Sequence, residues 1–236
     1  MTGSLYDSAR FRVCGDRAML VEYGDGVALA INERVRAMAL IITREKLQGV
    51  ESVIPAYRSL AIAYDPLVIA PEALQRRLLE LEKRVEEARI PPPRTVEIPV
   101  LYGDEAGPDL GFVAQHNGLT PQAVVQIHSQ ALYPIYAVGF APGFCYLGGL
   151  DERLHTPRLA TPRKRVAAGS VGIAETQTGV YPSDSPGGWQ LIGRTPLNLF
   201  NPAKDDPFLY RAGDRIRFVP IDAEAFERIR TAQEAS

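Results

Sequence analysis

Hydrophobic and polar positions change their spacing several times along the chain, and each change predicts an element. Phe11–Val13 and Ala18–Tyr23 read as two short strands around a turn at Gly15-Asp16. Val27, Ile31, Val35, Met38 and Ile42 then recur every three or four residues, which predicts a helix over Gly26–Leu47 with Gly49 at its end. Val50–Pro55 and Ser59–Tyr64 form a strand pair, with Leu60, Ile62 and Tyr64 on one face. A second helix, Glu72–Arg89, carries Leu74, Leu78, Leu81 and Val85 on one stripe, and Pro71 stands near its first turn, where proline is tolerated. The order β-β-α-β-β-α predicts an α+β domain over residues 1–90, two helices on one face of an antiparallel sheet.

Pro91-Pro92-Pro93 breaks this pattern as a stiff linker, and a second domain is expected over residues 94–236. Thr95–Leu101 alternates as a strand, and Asp109–His116 and Thr120–Ser129 follow with helical spacing. Thr120-Pro121 is a suitable N-cap and first-turn pair. Ile135–Val138, Gly169–Ile173, Gly179–Tyr181, Gln190–Gly193 and Arg215–Val219 read as short strands, and Asp222–Ala235 as a terminal helix. Many short strands between Gly/Pro turns predict a mainly-β barrel or sandwich. From Gly139 to Pro202 there are ten glycines and seven prolines, yet the same stretch holds enough aromatic and aliphatic residues to be ordered. An ordered glycine-rich loop system of this kind shapes a site or an interface.

Composition narrows the function classes. A hydrophobic fraction of 46% and a charged fraction of 23% belong to a globular chain. A net charge of −2 gives no general attraction to nucleic acid or to an acidic membrane surface. Ser129–Leu150 is free of charge over 22 residues, but Pro134, Pro142 and four glycines interrupt it, so it reads as buried strand and loop rather than a membrane helix. The N-terminal MTGSLYDSARFRV lacks the apolar core of a signal peptide. Cys14 and Cys145 are the only cysteines and show no metal-ligand spacing, so no zinc site and a cytoplasmic location with free thiols are expected.

No phosphate-binding loop, dinucleotide fingerprint or nucleophile elbow occurs. Ser170 reads as a turn hydrogen-bonder, and Cys145, between Phe144 and Tyr146, as an inert thiol. His128, near a helix end, reads either as a capping or core residue or as a proton carrier, and is the one catalytic candidate. Arg158, Arg163, Lys164 and Arg165 place four positive charges within eight residues, with Arg194 further on. They suit a carboxylate or phosphate, or else pair with Asp184 and Glu175. Gly187-Gly188 offers backbone N–H groups as an anion nest, and Trp189 reads as a core anchor or a ligand platform.

GFAPGFCYLGGLD, TPRKRVAAGSVGIA, QTGVYP, SPGGWQLIGRTP and PFLYRAGDRIRFVPI, with CGDRAMLVEYGD near the start, resemble the family of the 5-oxoprolinase B subunit. That family also includes allophanate hydrolase subunit 1 and a sporulation-kinase inhibitor. The resemblance spans roughly residues 10 to 221, departing at Cys145 and Ala167, where the motif usually carries proline. It implies an α+β first domain and a cyclophilin-like β-barrel second domain. It implies two partners, one of the allophanate hydrolase subunit 2 type (the 5-oxoprolinase C subunit) and one of the lactam-utilisation type (the 5-oxoprolinase A subunit). It also implies ATP-driven opening of 5-oxo-L-proline to L-glutamate, with ATP used by the complex. Charge developing on the lactam oxygen needs fixed donors, for which Arg158, Arg163, Arg194 and the Gly187-Gly188 backbone are the candidates; Gln177, Tyr181 and Gln190 are candidates to orient the amide. Two alternatives stay open, a module inhibiting a sensor histidine kinase and an allophanate hydrolase component.

Overall fold

A computed structural model describes residues 3–234, in two compact units divided between Pro92 and Pro93. The first runs β1 (Leu5–Cys14), β2 (Ala18–Gly24), α1 (Leu29–Glu45), β3 (Val50–Pro55), β4 (Ser59–Tyr64) and α2 (Pro71–Glu82), and its four strands form an antiparallel sheet in the order β1-β2-β4-β3. Successive strand residues face opposite ways, so Met19, Val21 and Tyr23 share a face with Leu60, Ile62 and Tyr64, and the register pairs Met19 with Ile62 and Val21 with Leu60. That face is buried with Ile31, Val35, Met38 and Ile42 of α1 and Leu74, Leu78 and Leu81 of α2.

Three boundaries differ from the sequence pattern. β1 is longer than Phe11–Val13 because backbone pairing with β2, rather than apolar alternation, extends this exposed edge strand. α1 ends before Gly49, with Lys46 in the left-handed region (φ 47°), while Gly49 (φ 85°) makes the turn into β3. α2 stops at Glu82, where three-residue-spaced bonds from Arg84 to Leu81 and from Ala88 to Val85 tighten the chain into a 3₁₀ turn.

The second unit is a mixed α/β structure around a nearly closed sheet. It contains β5 (Thr95–Tyr102), α3 (Leu110–His116), α4 (Pro121–Gln130), β6 (Tyr133–Val138), β7 (Cys145–Leu147), β8 (Arg163–Val166), β9 (Ser170–Ala174), β10 (Gln177–Val180), β11 (Ser185–Gly187), β12 (Gln190–Arg194), β13 (Arg215–Pro220) and α5 (Ala223–Glu234). The predicted terminal helix therefore holds as far as Glu234; Ala235 lies outside the described residues. Seven strands run in the order β10-β9-β12-β5-β13-β6-β7, and the edge strands β7 and β10 lie against each other. β5 and β13 are parallel, pairing Ile98 with Phe218 and Val96 with Ile216, while β8 and β11 form a separate two-stranded ribbon. The interior is filled by Ile98, Val100, Tyr133, Ile135, Leu147, Ile173 and Phe218, among others. The uncharged Ser129–Leu150 stretch supplies the end of α4 and the strands β6 and β7, and no described helix is long and apolar enough to cross a membrane.

Two glycines next to α3 predict opposite effects of the same substitution. A Cβ on the buried Gly107 would run into the Ile192 carbonyl oxygen, whereas one on Gly111 meets nothing within 4 Å. Gly107→Ala is expected to lower stability by about 1–3 kcal/mol, as backbone must move to admit the methyl group. Gly111→Ala, inside α3, is expected to raise it by about 0.5–1 kcal/mol. Urea unfolding midpoints of the two variants check both signs.

Candidate functional site

A cleft of about 220 Å³ opens on the second unit, lined by Phe140, Phe144, Tyr146 and Trp189 with Arg158, Gln177, Tyr181 and the Pro186-Gly187-Gly188 turn. Six of the residues singled out in the sequence therefore meet in one place: Arg158, Gln177, Tyr181, Gly187, Gly188 and Trp189. The aromatic rings make edge contacts, with centroids 6.1 Å apart for Phe144–Trp189, 6.0 Å for Tyr181–Trp189 and 5.1 Å for Phe144–Tyr146.

The local sequence explains each wall. Phe144 and Tyr146 are two residues apart, so both face the cleft while Cys145 points inward and is buried. Burial pushes the Cys145 thiol up to about 12, which makes it a core residue rather than a nucleophile. The loop before it closes tightly, with the Gly139 N–H donating to the Phe144 carbonyl at 3.0 Å and the Phe144 N–H to Ala141 at 2.9 Å. That closure leaves Phe140 at φ 70°, unusual for a bulky residue, and 84% exposed at the cleft's rim. The floor beneath Trp189 is glycine. Gly172 and Gly179 are cross-strand partners in β9 and β10, and a Cβ on either would stand 3.1 Å from the tryptophan.

Arg158 is held by its backbone neighbours. The Gln190 side chain, buried, donates to the Pro157 carbonyl at 2.8 Å, and the Leu159 N–H donates to the Gly188 carbonyl at 2.7 Å. Gln190 thus supports the cleft without lining it. The Arg158 side chain is exposed and has no carboxylate within ion-pair distance among the described residues. Tyr181 is buried, which raises its hydroxyl above the usual value, against a hydrogen bond from the Trp189 backbone that lowers it.

The other candidates lie elsewhere. Arg163 places Nη2 between both Asp109 carboxylate oxygens at 2.8 and 2.9 Å, so its charge is used internally. Arg165 pairs with Asp184, and Arg194 donates to the Ala168 carbonyl at 3.0 Å beside a different surface depression. Gly187 and Gly188 do not form an anion nest: neither has positive φ, Gly187 pairs with Arg163 in the β8–β11 ribbon, and a Cβ there would collide with the Tyr181 hydroxyl.

His128 is fully buried in α4, its ring stacked on Phe218 with centroids 4.5 Å apart. The Thr178 hydroxyl donates to the Gly172 carbonyl at 3.0 Å, so it accepts from His128 Nε2 at 2.8 Å; Nδ1 then accepts from the Tyr102 hydroxyl at 2.8 Å. This assigns a neutral tautomer, and burial lowers the imidazole to about 3. The histidine joins α4 to β5 and β10 and does not reach the cleft. Among the described residues no group of His, Cys, Asp and Glu could hold a metal ion. The cleft lining itself contains no carboxylate, imidazole or thiol, so it can bind and orient a ligand but offers no general base of its own.

Sequence reasoning missed Phe140, Phe144, Tyr146 and Asp109. The two-residue spacing of Phe144 and Tyr146 around a glycine-rich turn was the available signal; nothing near Asp109 in sequence announces its partner 54 residues away.

The model of the family described as carboxyltransferase domain, subdomain C and D, matches residues 9–210. The chain is similar to the 5-oxoprolinase B subunit of Bacillus subtilis (strain 168), 43% identical over 226 residues, covering 90% of this chain and 92% of that protein. It is also similar to the 5-oxoprolinase B subunit of Escherichia coli O157:H7, 46% identical over 213 residues, covering 90% and 96%. Among solved structures, TTHA0988 superposes with a TM-score of 0.77 at 38% identity over 88% of this chain; the chain spans 40% of that longer protein.

The buried histidine sets a pH dependence. In the unfolded chain its pKa returns to about 6.5, so below that value the unfolded state takes up a proton that the folded state refuses. Stability is therefore unaffected by this group above pH 6.5 and falls as pH drops toward 4, by up to about 1.4 kcal/mol per unit. In His128→Gln this share of the slope between pH 6.5 and 4.5 is expected to vanish, as measured by urea unfolding at several pH values.

Proposed function

The chain belongs to the family of carboxyltransferase domain, subdomain C and D, which holds the 5-oxoprolinase B subunits, and from that membership we propose that it is the B subunit of an ATP-dependent 5-oxoprolinase complex. The complex opens 5-oxo-L-proline to L-glutamate as ATP becomes ADP and phosphate, and its other members are the A and C subunits. The chain acts in the cytoplasm, its second unit is cyclophilin-like, and it is inactive alone.

One observation carries the reading: an arginine with no carboxylate partner among the described residues stands among aromatic walls in a cleft whose lining holds no carboxylate, imidazole or thiol. A lactam ring bearing a carboxylate matches that combination. Arg158 receives the carboxylate through its guanidinium fork. Trp189, Phe144 and Tyr146 cover the apolar ring edge. Gln177 and Tyr181 line the same cleft and offer an amide and a hydroxyl to the lactam N–H and C=O.

The cleft does not fit ATP. Its volume of about 220 Å³ lies below the ~300 Å³ at which larger ligand pockets begin, and it presents one arginine and no glycine nest to a triphosphate. In this reading ATP binding, phosphorylation of the lactam oxygen and activation of water fall to other surfaces of the complex, with this cleft binding and orienting the ring.

Co-expression with the two partners is expected to give 5-oxoproline-dependent release of glutamate and ADP. Activity undiminished when this chain is omitted would contradict the proposal. Arg158→Gln is expected to reduce kcat/KM for 5-oxoproline by about 10- to 100-fold, the loss of one charge-assisted contact, mostly through KM.

A further inference from the structure

Trp189 is fixed from several directions, and the fixing groups are not ligand groups. Its ring lies on the glycine floor of β9 and β10. Its ring also meets the Tyr181 ring edge-on, with centroids 6.0 Å apart. Its carbonyl accepts from Arg163 Nη1 at 3.3 Å. Two residues on, Leu191 is bound at both ends by one residue of another segment: the Leu191 N–H donates to Asp109 Oδ2 at 2.7 Å, and the Asp109 N–H donates to the Leu191 carbonyl at 2.9 Å. Both oxygens of the Asp109 carboxylate also accept from Arg163 Nη2, and both side chains are largely shielded from solvent, with relative exposures of 29% for Arg163 and 13% for Asp109.

We propose that the Asp109–Arg163 pair is a positioning device that sets the aromatic wall of the cleft, holding Trp189 at the place and angle a bound ring requires. The inference rests on the reading of this cleft as the ligand-contacting surface. Asp109 precedes α3, Arg163 opens β8 and Trp189 leads into β12, so the pair fixes three segments that have no continuous backbone between them. Arg163, one of four closely spaced basic residues, therefore acts through Trp189 and not on the ligand. Arg158 is the one of the four that lines the cleft. Arg163 spans the two groups with two nitrogens, Nη2 on the Asp109 carboxylate and Nη1 on the Trp189 carbonyl; lysine keeps the charge but has a single nitrogen and cannot hold both in this geometry.

The chain contains a single tryptophan, so its fluorescence reports the wall directly. In the full-length free chain, Arg163→Lys is expected to shift the Trp189 emission to longer wavelength and to steepen its quenching by acrylamide. In the reconstituted three-subunit complex the same variant is expected to raise KM for 5-oxoproline about tenfold with kcat nearly unchanged. Arg158→Gln, a contact residue, is expected to raise KM while leaving the free-chain quenching as in wild type. If Arg163→Lys does not fold, Asp109→Asn, which keeps an acceptor for the Leu191 N–H, carries the same test. A folded variant with wild-type quenching and wild-type KM overturns the proposal. If the wild-type complex fails to turn over 5-oxoproline, the functional reading of the chain falls, and the quenching comparison alone still decides whether the pair sets the tryptophan.

Discussion

The Asp109 carboxylate is the constraint on which the second unit's surface depends. One side chain accepts from the Leu191 backbone and twice from Arg163, and its own N–H closes a second bond to Leu191. Hydrogen bonds to a charged group contribute on the order of 1.5–3 kcal/mol when water is largely excluded, more than neutral ones. The β8–β11 ribbon stands outside the seven-stranded sheet and has little apolar area of its own. Through Arg163 this ion pair ties the ribbon to the start of β12 and to α3.

Once the ribbon is fixed, the charges in this region sort themselves. Arg163 is consumed by Asp109, Arg165 by Asp184 and Arg194 by a backbone carbonyl, and Arg158 is presented to solvent beside five aromatic rings. Small residues follow from the same geometry. Gly172 and Gly179 leave room for the tryptophan, and Gly187 leaves room for the Tyr181 hydroxyl. The tryptophan side of the cleft is thus held by several contacts, and its rim includes the exposed, left-handed Phe140.

Much of the architecture was legible because burial and periodicity coincide. The α1 stripe and the strands β3 and β4 follow directly from which residues face the core, and Thr120 caps α4 by accepting from the Ala123 N–H at 3.2 Å. The illegible parts are those that backbone pairing or distant ions decide. β8 reads Arg-Lys-Arg-Val and β11 Ser-Pro-Gly, neither of which carries a hydrophobic signal, yet they pair with each other. His128 illustrates the opposite failure. Its helix-end position invited a proton-transfer role, and the three-dimensional neighbours Tyr102, Thr178 and Phe218 make it a buried neutral link in the core. The motifs around the cleft identified the family, and the pairing of their charges sorted the residues that face a ligand from those that hold the wall.

The most direct measurement is a crystal structure of the reconstituted complex with 5-oxoproline. The account predicts the lactam ring in the cleft against Trp189 and Phe144, its carboxylate on the Arg158 guanidinium, and Arg163 still paired with Asp109. Ligand bound on another surface, with this cleft filled only by solvent, would contradict it.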